Sequence, residues 1–353
     1  MSIEEILRQA VEKKASDIFL IPGLPMSYKI NGVIEKQSGQ KLLPNDTEEL
    51  MHQIYKQAGN RDTSKLLDEG DDDFAFAVVG LSRFRANVFK QRGSLAAIIR
   101  VITFSIPDYR QLGIPQTIID IGKQTKGFVL VTGPAGSGKS TTLACIIDAI
   151  NHSRNAHVVT LEDPIEYLHY HDKSVVTQRE IGIDTRDYAS ALRGALRQSP
   201  DVILVGEMRD YETIRTAMTA AETGHLVIST LHTIGAAKTI DRIIDAFPPE
   251  QQQQIRVQLS MVLNAVISQQ LIPAVDDREV PAFEIMFLNN AIRNLIRESK
   301  VHQIDSVILS SSEEGMMTMD NSLAKLYRDG VISRENAIVY SSNEELMVKR
   351  LGR

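Results

Sequence analysis

Gly133-Pro-Ala-Gly-Ser-Gly-Lys-Ser-Thr-Thr142 is the stretch on which the reading of this chain turns. It fits G-x-x-x-x-G-K-[ST], the loop that cradles the phosphates of nucleoside triphosphates. Gly127-Phe-Val-Leu-Val-Thr132 before it reads as a short buried strand. Leu143, Ile146, Ile147 and Ile150 after it recur at helical spacing. Strand, glycine loop and helix is the context the motif needs. Glycines let the backbone fold around an anion with its N–H groups pointing inward, and the positive end of the following helix adds to that field. The phosphate-binding residues are then Gly133, Pro134, Ala135, Gly136, Ser137, Gly138, Lys139, Ser140 and Thr141. Lys139 is placed to reach the β- and γ-phosphates, and the Ser140 hydroxyl to ligate Mg²⁺.

Composition sets the bounds. A chain of 353 residues with 43% hydrophobic residues builds two domains, at most three, each with a sizeable core. The formal net charge of −6 provides no global basic field, so nucleic acid is not an expected partner. Cys145 is the only cysteine, which excludes a disulfide framework and a tetracysteine zinc site within the chain. Met1-Ser-Ile-Glu-Glu5 shows no secretory signal, and no apolar run approaches the roughly 20 residues needed to span a bilayer. The expectation is a soluble, cytoplasmic protein able to dock peripherally at a membrane.

The periodicity changes along the chain. Residues 1–104 read as a small α+β domain on an antiparallel sheet. A helical stripe starts at Ile3, a strand covers Asp17–Ile21, and Asn31-Gly32 is a hairpin signal. Asn45 with Glu48 resembles a capping box. The acidic run Asp68–Asp73 reads as a solvated loop, followed by strands at Phe74–Val79, Arg83–Phe89 and Leu95–Ile102. Residues 105–118, with two prolines and Gly113, read as a linker. Residues 119–353 begin as alternating strand and helix, an α/β pattern that implies a parallel, helix-covered sheet. Strands are expected at Phe128–Thr132, His157–Leu161, Val202–Val205 and Leu226–Thr230. Helices are expected at Lys139–Asn151, Arg186–Gln198, Tyr211–Thr223 and Ala236–Ile244. A C-terminal helical region follows, at Gln251–Gln270, Ala291–Glu298, Met319–Asp329 and Ser333–Val339.

Several groups bear on the loop. Asp201-Val-Ile-Leu-Val-Gly-Glu207 is a buried strand with an acid at each end. Glu207, at the C-terminal end, is the preferred holder of Mg²⁺ or its water. Glu162, in Leu161-Glu-Asp-Pro164, follows another strand. It either polarises the water that attacks the γ-phosphate or caps the next segment. His225 and His232 stand at the two ends of one strand, seven apart, so they do not share a metal. Each is either a structural hydrogen-bonding residue or a γ-phosphate sensor. Arg193 and Arg197, four apart on a helix, and Arg83, Arg85 and Arg92 are surface residues or arginine fingers offered to a neighbouring subunit.

At these residues the chain resembles the type IV pilus retraction ATPases, within the secretion ATPase superfamily of hexameric RecA-like motors. Gly133–Thr142 matches that family's Walker A box. Val158-Val-Thr-Leu-Glu-Asp-Pro-Ile-Glu-Tyr167 resembles its Asp box, and Asp201-Val-Ile-Leu-Val-Gly-Glu-Met-Arg-Asp210 its Walker B box. Thr219-Ala-Ala-Glu-Thr-Gly-His-Leu-Val-Ile-Ser-Thr-Leu-His-Thr233 resembles the His box, and Ala291-Ile-Arg-Asn-Leu-Ile-Arg-Glu298 matches a motif of the retraction branch. The likeness covers nearly the whole chain. It implies a PAS-like N-terminal domain and a RecA-like core that hydrolyses ATP with Mg²⁺. It implies that Glu162 is the catalytic glutamate, that Glu207 is the Walker B acid, and that His225 and His232 contact or sense nucleotide. It further implies a homohexamer at the cytoplasmic face of the inner membrane, acting on a pilus platform protein to power retraction and twitching. A pilus-extension or type II secretion ATPase is the alternative. Asp17-Ile-Phe-Leu20 departs from the family in lacking a histidine after Asp-Ile, and Pro134-Ala135 replaces the commoner Pro-Thr.

Overall fold

Two hydrophobic periods organise the chain, and they segregate into separate bodies. The computed structural model describes residues 2–30, 32–37, 39–102, 106–276 and 278–352. The chain divides into two compact units, Met1–Ser105 with Glu166–Leu168, and Ile106–Ile165 with His169–Arg353.

The first unit runs α1 (Ile3–Glu12), β1 (Asp17–Leu20), β2 (Ser27–Ile30), β3 (Val33–Lys36), α2 (Pro44–Gln57), α3 (Ser64–Glu69), β4 (Asp71–Val78), β5 (Ser82–Gln91) and β6 (Ser94–Ile102). Its six strands form one antiparallel sheet in the order β3-β2-β1-β6-β5-β4. Period two is visible in β5, where Ser82, Phe84, Ala86 and Val88 are buried. Phe84, Ala86 and Val88 share a single core with Ile6 and Leu7 of α1 and Leu50, Met51 and Ile54 of α2. Asn31 lies outside the described residues, but Ile30 and Val33 pair across the turn it was expected to make.

Two expectations fail in this unit. The helix expected to start at Asn45 starts at Pro44, and its first turn is held by Asp46, whose carboxylate accepts the Leu43 N–H at 2.7 Å. The acidic run is not a solvated loop. Asp68 and Glu69 end α3, Gly70 takes the left-handed conformation at φ 82°, and Asp71–Asp73 open β4. Asp72 is fully buried. It accepts from Arg61 at 2.9 and 3.0 Å and from the Tyr55 hydroxyl at 2.9 Å. A charge count cannot reveal this, because strand alternation turns only the middle acid inward. Burial alone would raise the Asp72 carboxyl; the hydrogen bonds from Arg61 and Tyr55, with the charges of Arg61 and Lys65, outweigh it and hold it below the usual carboxylate range.

The second unit contains α4 (Gln116–Ile119), β7 (Gly127–Thr132), α5 (Lys139–Ser153), β8 (His157–Glu162), β9 (Val175–Glu180), α6 (Tyr188–Ala195), β10 (Val202–Val205), α7 (Tyr211–Glu222), β11 (Leu226–Leu231), α8 (Ala236–Asp245), α9 (Pro249–Val262), β12 (Leu263–Pro273), β13 (Glu279–Phe287), α10 (Asn290–Arg297), α11 (Ile304–Ser310), α12 (Met319–Arg328), α13 (Arg334–Val339) and α14 (Glu344–Leu351). Its seven strands are ordered β13-β12-β7-β11-β10-β8-β9. All neighbours are parallel except β12 and β13. The α/β class therefore holds, with mixed sheets.

The expected linker is only partly one. Ser105 lies outside the described residues, and Ile114 and Ile118 are buried in the same core as Ile146 and Ile150 of α5. The expected helix Gln251–Gln270 also breaks in two. It stops at Val262, and Leu263–Pro273 is a strand between β7 and β13. Buried on both faces, that strand loses the polar alternation that would have marked it. The C-terminal helices follow local rules more closely. Asn289, Thr318, Ser333 and Asn343 each accept an N–H three residues on, at 3.0–3.2 Å. No helix of the described residues is long and apolar enough to cross a membrane.

Removing the charge of Asp72 should expose the dependence of the first unit on its buried pair. Asp72→Asn is expected to lower stability by about 2 kcal/mol, since Arg61 is then left without its counter-charge. Chemical denaturation followed by circular dichroism measures this. For the wild type the contribution is present above pH about 4 and is lost as pH falls through the lowered folded-state value.

Candidate active site

β7 ends at Thr132, and the loop closes back on itself before α5 begins at Lys139. Gly133 sits at φ 143°, and a Cβ there would stand 2.1 Å from the Gln269 carbonyl oxygen and 2.7 Å from Ser137 Oγ. Gly138, at φ 83°, would meet the Gln269 side-chain amide at 2.9 Å. Close approach demands glycine at Gly133, and a left-handed φ favours it at both positions. Lys139 is buried, and its Nζ donates to the carbonyls of Gly133 and Pro134 at 2.9 and 2.8 Å. Its charge is held inside the loop, where phosphate oxygens would compete for it. Ser137 Oγ is buried without a hydrogen-bond partner. Thr142 Oγ1 donates to Gln269 Oε1 at 2.7 Å, so β12 grips the loop from both ends. Gln269 carried no signal in the sequence, since its strand read as helix.

Parallel register brings the acids to this edge. Leu231 pairs with Thr132, Val205 with Ser229, and Val205 with Leu161. β7, β11, β10 and β8 therefore end together, and strand spacing puts β10 about 10 Å and β8 about 14 Å from β7. Glu207 follows β10 and is only 9% exposed. It is paired with Arg209, and its Oε2 lies 3.2 Å from His232 Nε2. Between them Gly206 donates its N–H to Leu161 O at 2.7 Å and accepts from Thr230 Oγ1 at 2.5 Å. A Cβ on Gly206 would meet the Tyr188 hydroxyl at 3.0 Å, Leu161 O at 3.1 Å and Glu162 Cα at 3.3 Å. This close approach sets Glu207 beside Glu162.

Glu162 Oε1 accepts from Thr160 Oγ1 at 2.6 Å and from Gln178 Nε2 at 3.2 Å. Tyr188, the first residue of α6, completes the cluster. Burial, then the charges of Glu207, Asp163 and Glu162, push its phenol well above the ordinary tyrosine range, so it stays a neutral donor among carboxylates. Position in the sequence gave no warning of Tyr188; only the packing of α6 against β8 and β10 delivers it.

Other expected residues are not brought here. Asp201 is at the opposite end of β10, accepting the His157 N–H at 2.8 Å. His225 also lies at that opposite edge, beside Gly127 at the start of β7. Its Nδ1 donates to Ala220 O at 2.9 Å, closing the C-terminus of α7. β11 has six residues, so about 20 Å separates His225 from His232. A seven-residue spacing on a strand spans the sheet, so the two histidines lie at opposite edges. Arg193 is paired with Glu212 on the surface, and Arg197 lies exposed beyond the end of α6. Arg85 is paired with Asp73 in the first unit.

The segment after His232 is fixed from below. Gly235 N donates to Ser268 Oγ at 2.9 Å and Ala236 N to Glu284 Oε1 at 2.8 Å. The other oxygen of Glu284 accepts from Met319 N at 3.5 Å, so one buried carboxylate meets the N-termini of α8 and α12. Burial raises its carboxyl above the ordinary value. In α10, Ile292 and Ile296 are buried and Arg297 is exposed. Arg293 donates to Ser260 O at the end of α9.

A profile of the type II/IV secretion system protein family matches residues 1–307. The type IV pilus retraction ATPase PilT of Pseudomonas aeruginosa is 45% identical over 319 residues, which cover 90% of this chain and 92% of that one. A twitching motility protein of Neisseria gonorrhoeae is 50% identical over 248 residues, 70% of this chain and 66% of that one. A crystal structure of the pilus retraction motor PilT with bound ADP has a TM-score of 0.89 and 47% identity, covering 98% of each chain.

Lys139→Ala removes the only cation held within the described part of the phosphate loop. ATP binding, measured by fluorescent-nucleotide titration, should fall by at least about tenfold, the scale of one charge-assisted contact. Unchanged affinity would place the triphosphate elsewhere.

Proposed function

This chain belongs to the type II/IV secretion system protein family, and from that premise we propose that it is an ATP-hydrolysing motor that powers retraction of a type IV pilus. One observation carries the proposal: Glu162, ending β8, and Glu207, two residues past the end of β10, lie on the same sheet edge as the Lys139 loop. A triphosphate in the loop then has its γ-phosphate directed toward two carboxylates and a neutral phenol.

The residues divide the work by chemistry. Loop N–H groups and Lys139 bind the phosphates, and the N-terminus of α5 adds its positive field. Glu162, with one oxygen held by two donors, accepts the proton of the attacking water. His232, in contact with Glu207, responds to the charge at the γ-phosphate. Its neighbours Gly235 and Ala236 are anchored to β12 and β13, so a shift there reaches the C-terminal helices through Glu284. Oxygen donors suit Mg²⁺: the Ser140 hydroxyl and the nearly buried Glu207 carboxylate would hold it together with the phosphates. When bound, the ion neutralises charge between the β- and γ-phosphates.

The finer assignments extend the same reading. The six-stranded antiparallel unit is PAS-like, and the sheet carrying the loop is RecA-like. The chain works as a homohexamer in which arginines of one copy, Arg193 and Arg197 among the candidates, reach the nucleotide of the next. Arg193, on α6 and paired with Glu212, and Arg197, just past its end, are both exposed, which supports a role in trans. His225, at the far edge of the sheet, contacts nucleotide only if a neighbouring copy brings it there. The motor docks at the cytoplasmic face of the inner membrane on a pilus platform protein. The α10 motif sets it to retraction.

Glu162→Gln should bind ATP with near-normal affinity and lose turnover by about 10²-fold or more, the usual contribution of a general base. Phosphate release from the purified protein, with binding measured in parallel, tests this; near-normal turnover would move the base elsewhere. Cells lacking the chain should extend pili that no longer retract, whereas retraction at normal frequency would favour an extension or secretion motor.

A further inference from the structure

β9 brings a second strand to the candidate base. It pairs with β8 in parallel from His157–Val175 to Glu162–Glu180, which sets Gln178 opposite Thr160. Thr160 and Glu162 are two apart on β8 and share a face. Both Thr160 Oγ1, at 2.6 Å, and Gln178 Nε2, at 3.2 Å, donate to the same oxygen of Glu162. The orientation of the Gln178 amide is not free. Its Oε1 accepts the backbone N–H of His169 at 2.9 Å. A backbone N–H can only donate, so the amide oxygen must face His169 and the NH₂ must face Glu162.

The anchor is also insensitive to charge. Burial, then the charge of His152, lowers the His169 ring to about 4, so it stays neutral at physiological pH. A backbone group on one segment thereby fixes a side chain on β9, and that side chain fixes a carboxylate on β8.

We propose that Gln178 is a positioning residue for hydrolysis, holding the Glu162 carboxylate in the rotamer that accepts a proton from the attacking water. Thr160 is its partner from the same strand. The inference rests on the reading of Glu162 as the base. Angular freedom at a catalytic carboxylate is costly because a misplacement of about 1 Å can slow a reaction by up to 10²-fold. Neither Gln178 nor Thr160 takes part in binding the phosphates, so their loss should appear in kcat and not in KM.

The experiment is a double-mutant cycle on the full chain, with kcat and KM for ATP and ADP affinity measured for each variant. Gln178→Leu alone should lower kcat about tenfold or more and leave KM and ADP affinity within about twofold. In the Glu162→Gln background the same change should have almost no further effect, since there is no base left to position. Thr160→Val, nearly isosteric in a buried strand, should repeat the pattern with a smaller loss and serves where Gln178→Leu folds poorly. Normal turnover in both Gln178→Leu and Thr160→Val, with Glu162→Gln inactive, would overturn the positioning role and leave the base assignment standing. A Gln178→Leu effect that multiplies with Glu162→Gln would also overturn it, since the residue would then act elsewhere. Near-normal turnover in Glu162→Gln would overturn both readings together.

Discussion

The phosphate loop keeps its shape because β12 overruns the end of β7. Register pairs Ser268 with Thr132, and the next residue, Gln269, continues alongside the loop. Its carbonyl lies where a Gly133 side chain would stand, its amide nitrogen where a Gly138 side chain would stand, and its amide oxygen holds Thr142. Backbone, side chain and helix are clamped by one residue. The glycine spacing of the motif is therefore a packing requirement of this sheet as well as a requirement of the anion.

Everything acidic at the site follows from parallel register. Strands that end level present their next residues along one edge: β8 ends on Glu162, and Glu207 follows two residues after the end of β10. Two carboxylates and a tyrosine in so small a space must be compensated. Arg209 and His232 do this for Glu207, and Thr160 and Gln178 for Glu162. Glu207 meets an arginine and a histidine, and Glu162 accepts from a hydroxyl and an amide. The elevated phenol of Tyr188 is a consequence of the same crowding.

Coupling away from the site has a physical route in Glu284. Its two oxygens meet the backbone of α8 and α12, the first following His232 in the chain and the second belonging to the C-terminal helices. Core residues of α12, among them Leu323 and Ala324, pack with Ile272 of β12 and Ala282 of β13. A change at the γ-phosphate edge is in this way connected to distant helices through buried, hydrogen-bonded groups.

What the sequence determined by itself was local: the strand, glycine loop and helix around Lys139, the acids Glu162 and Glu207 at and just past strand ends, and the capped helices α10, α12 and α13. Each depends on spacing along the chain, so each is legible without coordinates. The family resemblance, carried by those same boxes, extended this to a motor ATPase, and the 45–50% identities of the relatives agree. Tertiary structure decided the rest. Only strand order shows that His225 lies about 20 Å from His232, at the far edge of the sheet. Only alternation in a packed sheet turns Asp72 inward from an acidic run. Only a strand buried on both faces, and so without polar alternation, explains why Leu263–Gln270 read as helix and why Gln269 went unnoticed. Gln178 and Tyr188 belong with these: Gln178 meets Glu162 16 residues away and Tyr188 meets Gly206 from another strand, and spacing along the chain carries no information about side chains that meet across strands.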